Sequence, residues 1–98
     1  MFDSKKYITK GIEATLPPGM DSLLWLLIET MEVSKKDYLQ VFELSPNQGQ
    51  QHIVHRQEQP PYEKEYDINW NGCDELVTAK VFVIDDYDHS TMLLAEEY

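Results

Sequence analysis

The sequence has little cysteine and little glycine, and both shortages exclude classes of function. Cys73 is the only cysteine, so the chain cannot form a disulfide within itself, which suits a reducing compartment. The four glycines are scattered, so no glycine-rich loop is present to cradle a phosphate. No catalytic signature surrounds Cys73. We therefore expect a protein that is not an enzyme and needs no cofactor.

Long apolar runs are also missing. The longest run is Leu23 to Ile28, whereas a membrane-spanning helix needs about 18 consecutive apolar residues. The opening stretch MFDSKKY is charged and lacks the apolar core of a signal peptide. We therefore expect a cytoplasmic protein that does not bind membranes.

Positive charge is scarce as well. Eight Lys and Arg stand against 18 Asp and Glu, which gives a net charge of −10. Residues 1–57 carry six basic and seven acidic side chains, whereas residues 58–98 carry two and eleven. Nucleic acids and anionic membranes are polyanions, so this balance disfavours direct binding to either. The acidic part of the chain instead favours a basic partner.

One apolar pattern predicts a strong helix. After Pro17 and Pro18, apolar residues recur at helical spacing at Met20, Leu23, Leu24, Leu27, Ile28 and Met31. Trp25 and Leu26 fall outside that stripe, so the middle of the helix is apolar nearly all the way round. Two interpretations are open: Trp25 is buried, which we favour, or it is an exposed anchor for a partner.

The remaining sequence predicts strands joined by short turns. An opening strand is expected near Lys6–Ile12, and residues 37–57 are typical of a hairpin whose turn spans Ser45–Gly49. Tyr62–Trp70 alternates apolar and polar residues, TAKVFVI predicts a central strand covered on both faces, and STMLLA predicts the last strand. We predict an α+β fold in a single domain, residues 1–98, with an antiparallel sheet of about five to six strands and one main helix packed on one face.

Two patterns raise the question of a metal site. Counting from Asp86, several ligand positions of a calcium loop are filled, but Thr91 stands where the loop needs glycine. His52 and His55 are three residues apart, which puts them on opposite faces of a strand. No pair has a recognised ligand spacing, so we predict no metal. A metalloprotein that combines Cys73, His89 and distant carboxylates stays open as an alternative.

A row of acids is the most informative feature. Glu63, Glu65 and Asp67 alternate along a predicted strand, so their carboxylates would repeat at about 6.8 Å on one face. Successive phosphates of a nucleic-acid strand are spaced comparably, so a row of carboxylates can imitate them. The alternative is that these acids form the solvated face of an edge strand and resist aggregation. A second acidic group comprises Asp85, Asp86 and Asp88, and we expect both groups to gather on one surface.

Several blocks of the sequence resemble a known family. They are MFDSKKYITKG, LLWLLIE, DYLQVFEL, HRQEQPPY, VIDD, TMLL and EEY, and they extend over nearly the whole chain. On these blocks the sequence resembles the short uncharacterised proteins of Gram-positive bacteria and their phages that are catalogued as domain of unknown function 960. That family carries no assigned reaction, so the resemblance implies only a small cytosolic protein whose gene a phage can carry. Ile68–Lys80 departs from the family's pattern and leaves Cys73 without an implied role.

Charge, size and resemblance together favour a non-enzymatic binding protein. We predict a phage or mobile-element inhibitor of the anti-CRISPR type that occupies the basic nucleic-acid-binding groove of a host protein such as an RNA-guided nuclease. Its partner-binding residues would be the two acidic groups together with Trp25. The alternative is an interaction module, or a homodimer, that uses an apolar helix surface with Trp25, Leu26 and Tyr62 as anchors.

Overall fold

Two helices and six strands make up the part of the chain described by the computed structural model, which covers residues 2, 5–70 and 76–98. In chain order the elements are β1 (Lys5–Ile8), α1 (Lys10–Thr15), α2 (Met20–Thr30), β2 (Leu39–Asn47), β3 (Gln50–Gln57), β4 (Tyr62–Ile68), β5 (Ala79–Asp85) and β6 (His89–Leu94). A 3₁₀ turn, Ala95–Glu97, follows β6.

The strands form one mixed sheet in the order β1-β6-β5-β2-β3-β4. Four of the five neighbouring pairs are antiparallel, but β1 runs parallel to β6. The α+β class is therefore confirmed, whereas the prediction of a purely antiparallel sheet is wrong. The reason is that β1 pairs with the last strand of the chain rather than with a sequence neighbour. The long connection between them, which contains both helices and strands β2 to β5, lets the two strands run in the same direction.

The helix predicted from the apolar stripe is confirmed as α2. Its N-cap is Gly19 at φ +89°, a left-handed backbone conformation that glycine adopts without a steric penalty. Met20, Leu24 and Ile28 are fully buried, and they pack in one core with residues of the sheet. Among the described residues no helix is long and apolar enough to cross a membrane.

The sheet has two different faces. The face that packs on α2, here called the helix face, carries fully buried side chains that include Phe42, Ile53, Val83 and Met92. The opposite face, here called the open face, carries Glu43, Arg56 and Phe82 among others. On β5 the helix-face valines are buried, whereas Phe82 and Ile84 on the open face are only half-buried. Strand β5 is therefore central, but only its helix face is fully covered.

One turn and one strand end differ from the expected boundaries. The β2–β3 hairpin closes through only Gln48 and Gly49, whose φ values of +51° and +79° suit the tight turns that join twisted antiparallel strands. The predicted opening strand ends at Ile8 instead of Ile12. It ends there because Thr9 caps a helix: its hydroxyl accepts a hydrogen bond from the Ile12 backbone N–H at 3.3 Å.

Candidate interaction surface on strand β4

The alternating acids lie together on edge strand β4, as their spacing predicts. The register with β3 puts Glu63, Glu65 and Asp67 on the open face, while Tyr62 and Tyr66 turn to the helix face. All three acidic residues are exposed. The geometry of an extended strand separates successive members of this row by about 6.8 Å. The three residues are called the β4 acidic row below.

His52, on the neighbouring strand β3, lies between two members of the row. Its Nδ1 is 2.8 Å from an Asp67 carboxylate oxygen, and its Nε2 is 3.0 Å from a Glu65 carboxylate oxygen. Both ring nitrogens can donate a hydrogen bond only when the imidazole is protonated. The hydrogen bond to Asp67 accordingly raises the pKa of His52, and the same contact lowers the pKa of Asp67. His52 thus compensates part of the row on its inner side.

Arg56 is the second basic side chain on the inner side of the row. It stands opposite Glu63 in the β3–β4 register, but its guanidinium pairs with Glu43 on β2. Val54, between the two basic residues on β3, stands opposite Glu65. Lys64 lies on the helix face, where its ammonium is 5.6 Å from the centre of the Tyr66 ring. Positive charge therefore lies on one side of the row, and its outer side is left negative.

The second acidic group lies at the turn between β5 and β6. Asp85 is half-buried, and its carboxylate accepts hydrogen bonds from the Ser90 hydroxyl at 3.1 Å and from the Phe2 backbone N–H at 3.4 Å. Asp88 and Asp86 are exposed and contact His89, whose ring nitrogens are 2.8 and 3.7 Å from their carboxylates. The hydrogen bond to His89 lowers the pKa of Asp88. This group closes a turn and orders the segment around it.

The structure does not join the two acidic groups into one surface. Strands β2 and β3 lie between β5 and β4 in the sheet, so the groups are at least about 14 Å apart. The expectation of one continuous anionic surface is therefore corrected to two separate groups. The reason lies in the strand order: β2 pairs with β5 as well as β3, and this places the β3–β4 hairpin on the far side of the sheet.

The structure decides between the two interpretations of Trp25 in favour of burial, so its assignment as a partner-binding residue is corrected. Its side chain is only 8% exposed and belongs to the hydrophobic core, and the Lys6 ammonium is 5.9 Å from its ring centre. A buried ring cannot anchor a partner. Leu26 next to it is 50% exposed, and Tyr62 is half-buried. Of the three anchors of the alternative hypothesis, only Leu26 is therefore exposed.

The metal candidates are distributed over the molecule. His52 lies on the open face and His55 on the helix face, which confirms that their spacing separates them. Cys73 lies outside the described residues. Within residues 2, 5–70 and 76–98 no group of three or more His, Cys, Asp or Glu is arranged to hold a metal ion. His89 instead pairs with the aspartates of its own turn.

Sequence reasoning missed the role of His52. The sequence does not show that His52 contacts the β4 acidic row, because the register between β3 and β4 depends on how the turn after Gln57 is built. Once the register is known, His52 stands directly opposite Asp67. Pairs of opposite charge at directly opposite positions stabilise a sheet. The signal that could have shown the pairing of His52 with Asp67 is therefore the register of the β3–β4 hairpin.

Fold and surface together define a small α+β protein with an acidic edge strand and a helix packed on one face of its sheet. The chain belongs to the family described as Staphylococcal protein of unknown function (DUF960), whose model matches residues 5–97. A crystal structure of a protein of unknown function from Enterococcus faecalis is similar to it, with 26% identity and a TM-score of 0.83. That similarity covers 98% of this chain and 92% of the other. A comparison with curated proteins finds no match.

Proposed function

We propose that this protein is a non-enzymatic binding protein whose β4 acidic row docks on a basic, nucleic-acid-binding surface of a partner protein. The observation that carries the proposal is the single file of three exposed carboxylates, Glu63, Glu65 and Asp67, on an edge strand. The two nearby basic side chains, His52 and Arg56, lie on the inner side of this row. Its outer side therefore presents negative charge at intervals comparable to those of phosphates.

The partner class follows from this charge. A groove that holds a nucleic acid presents Lys and Arg at phosphate spacing, and a protein that occupies it excludes the nucleic acid. The channel that holds the guide–target duplex in an RNA-guided nuclease is such a groove, which makes an inhibitor of the anti-CRISPR type the favoured form of the proposal. The net charge of −10 would steer association and make its rate depend on salt.

The test uses a purified RNA-guided nuclease loaded with its guide RNA, and measures cleavage of target DNA as this protein is added. We expect inhibition that weakens as NaCl rises. The triple variant Glu63→Gln, Glu65→Gln, Asp67→Asn should need at least about tenfold more protein for the same inhibition, because it lacks the row's charges.

The matched control removes the same number of negative charges from parts of the surface outside β4. The variant Glu13→Gln, Glu32→Gln, Glu96→Gln alters three exposed acids that lie outside β4. It should inhibit within about twofold of the unmodified protein, since distant charges are largely screened. An absence of inhibition, or an equal loss in both triple variants, would contradict the proposal.

A further inference from the structure

Strand β4 is the longer of the two edge strands of the sheet. It has seven residues, whereas β1 at the opposite edge has four. Within residues 5–70 and 76–98 no strand pairs with the outer side of β4. An edge of this length presents backbone N–H and C=O groups that can pair with another chain.

The β2–β3 hairpin determines which backbone groups point to that edge. Its turn has two residues, so Asn47 and Gln50, which close the turn, exchange both backbone hydrogen bonds. Hydrogen-bonded and non-bonded pairs alternate along an antiparallel ladder. Every second residue pair between β2 and β3, counted from Asn47 with Gln50, is therefore hydrogen-bonded. The side chains of these pairs lie on the open face, and Val41 with Arg56 is one of them.

The same alternation continues into β4. On β3 the open-face residues bond to β2, so the helix-face residues between them, such as Ile53 and His55, bond to β4. Their partners Tyr66 and Lys64 therefore turn their backbone groups inward. The remaining residues of β4 turn their backbone N–H and C=O groups outward, and these residues are Glu63, Glu65 and Asp67. The acidic row and the free backbone groups thus belong to the same three residues.

We propose that the outer edge of β4 takes up an extended segment of the partner protein as an additional antiparallel strand, with Lys or Arg at every second position. This inference rests on the proposed function, because it uses the same acidic row. In a hydrogen-bonded pair the two Cα atoms are about 5.5 Å apart and both side chains lie on one face. The partner residue opposite each acid therefore lies beside its carboxylate, and a cation there forms a favourable cross-strand pair.

A second copy of this chain is a poor occupant of the same edge. Antiparallel pairing of β4 with another β4, centred on Glu65, would set Glu65 against Glu65 and Glu63 against Asp67. Like charges at directly opposite positions destabilise a sheet. The acids thus oppose self-association of the edge and leave it open to a strand of opposite charge.

The experiment uses three synthetic peptides. The first is Thr-Lys-Val-Lys-Val-Lys-Thr, the second has the same residues with the three Lys adjacent, and the third is the first peptide with a methyl group on the backbone nitrogen of each Lys. Binding is measured by calorimetry, and hydrogen exchange at single backbone amides is followed by NMR. We expect the alternating peptide to bind most tightly. It should slow exchange at the amides of Glu63, Glu65 and Asp67 by at least about tenfold, since outward N–H groups are otherwise open to water.

The N-methylated peptide separates pairing of the backbone from attraction between charges. It keeps the three positive charges, but its backbone methyl groups replace the N–H donors that face β4 and sterically block close approach of the two backbones. Its carbonyl groups then cannot reach the N–H groups of β4, so it should give no protection of the three amides. The variant Glu63→Gln, Glu65→Gln, Asp67→Asn should bind the alternating peptide at least about tenfold more weakly.

Two results would overturn the inference. One is equal binding of the alternating, permuted and N-methylated peptides, and the other is binding without protection of the three amides. Either result would show that the acidic row attracts cations without adding a strand, which leaves the proposed function standing. Protection by the alternating peptide together with no inhibition of the nuclease would instead support this inference and contradict the proposed function.

Discussion

At the scale of single residues, His55 is a buried titratable side chain on which the stability of this fold in acid should depend. Its ring is fully buried and stacks on Phe42, with ring centres 4.4 Å apart. Its Nε2 is 2.7 Å from the side-chain oxygen of Gln40, whose amide nitrogen donates to Asp37 and Gln57, so His55 is the donor in this contact. Its Nδ1 is the one buried side-chain polar atom in the described part of the chain with no hydrogen-bond partner. Burial lowers the pKa of His55 to about 4.

The first prediction concerns stability in acid. Between pH 6.5 and about pH 4 the unfolded chain takes up a proton at His55 that the folded chain does not. The free energy of unfolding should therefore fall as pH drops through this window, by up to about 3 kcal/mol from this residue. Urea unfolding of the unmodified protein and of His55→Gln measures the contribution, because the variant should lack this part of the pH dependence.

His89→Gln is the control for that measurement, since His89 lies at a turn and is partly exposed. It should keep the acid response that His55 causes. His52 should change the free energy of unfolding with pH in the opposite direction. Its pKa is raised in the folded chain, so its contribution to stability is present below pH 6.5 and is lost as pH rises through the folded-state pKa. An NMR titration that finds His55 protonating near its ordinary pKa would contradict the prediction.

At the scale of elements, Glu97 near the end of the chain contacts Thr9, the N-cap residue of α1. The Glu97 carboxylate accepts hydrogen bonds from the Thr9 hydroxyl at 2.7 Å and from the Leu94 backbone N–H at 2.8 Å. The hydrogen bond from Thr9 lowers the pKa of Glu97. A Cβ atom on Gly11 would lie 2.6 Å from this carboxylate, so a glycine is needed there for Glu97 to keep its position.

The second prediction is that the effect of Gly11→Ala on the free energy of unfolding changes sign when Glu97 is removed. Gly11→Ala should lower stability in the unmodified protein, because Glu97 must move away and lose its hydrogen bonds. In a Glu97→Ala background the same substitution should raise stability by up to about 1 kcal/mol, since alanine favours a helix more than glycine does. Urea midpoints of the four proteins in this cycle provide the measurement. Stabilisation by Gly11→Ala in both backgrounds would show that Glu97 does not constrain Gly11.

The same contact explains why the sequence predicted this region only in part. Lys5–Ile8 is a strand as expected, but the strand prediction extended to Ile12, where the structure has α1. The local sequence KYITKGI has β-branched and aromatic residues typical of a strand. The helix is stabilised by Thr9 and by Glu97, which is 88 residues away from Thr9 along the chain. Such a partner is invisible to any local pattern.

At the scale of the whole molecule, unbalanced charge works against folding. Eighteen acidic residues against eight Lys and Arg leave a net charge of −10, and the folded chain holds this charge within a Cα radius of gyration of 12.9 Å. Repulsion inside a compact chain favours the expanded state, and salt screens it over about 10 Å at 0.1 M.

The third prediction follows from this repulsion. Raising NaCl from about 10 mM to about 500 mM should shift the urea midpoint upward, because screening relieves repulsion more than it weakens the few ion pairs. The variant Glu63→Gln, Glu65→Gln, Asp67→Asn should show a smaller shift. A midpoint that falls with salt would mean that pairs such as those at His52 and Arg56 outweigh the net repulsion.

The candidate surface was predictable where local geometry alone determines it. Alternation along Tyr62–Ile68 was enough to put Glu63, Glu65 and Asp67 on one face, since successive side chains of a strand point to opposite sides. Their relation to Asp86 and Asp88 was not predictable, because it depends on the order of strands in the sheet. The position of His52 between Glu65 and Asp67 required the register of two strands.

The sequence by itself determined the α+β class, helix α2, the pairing of β2 and β3 as a hairpin, and the two faces of β4. These follow from periodicities of 3.6 and 2 that the backbone imposes on each element separately. Only the tertiary structure decided that β1 lies parallel to β6, that Trp25 is buried and that the acids form two groups. These outcomes depend on which distant segments share one core, and burial of apolar surface over the whole chain selects that arrangement.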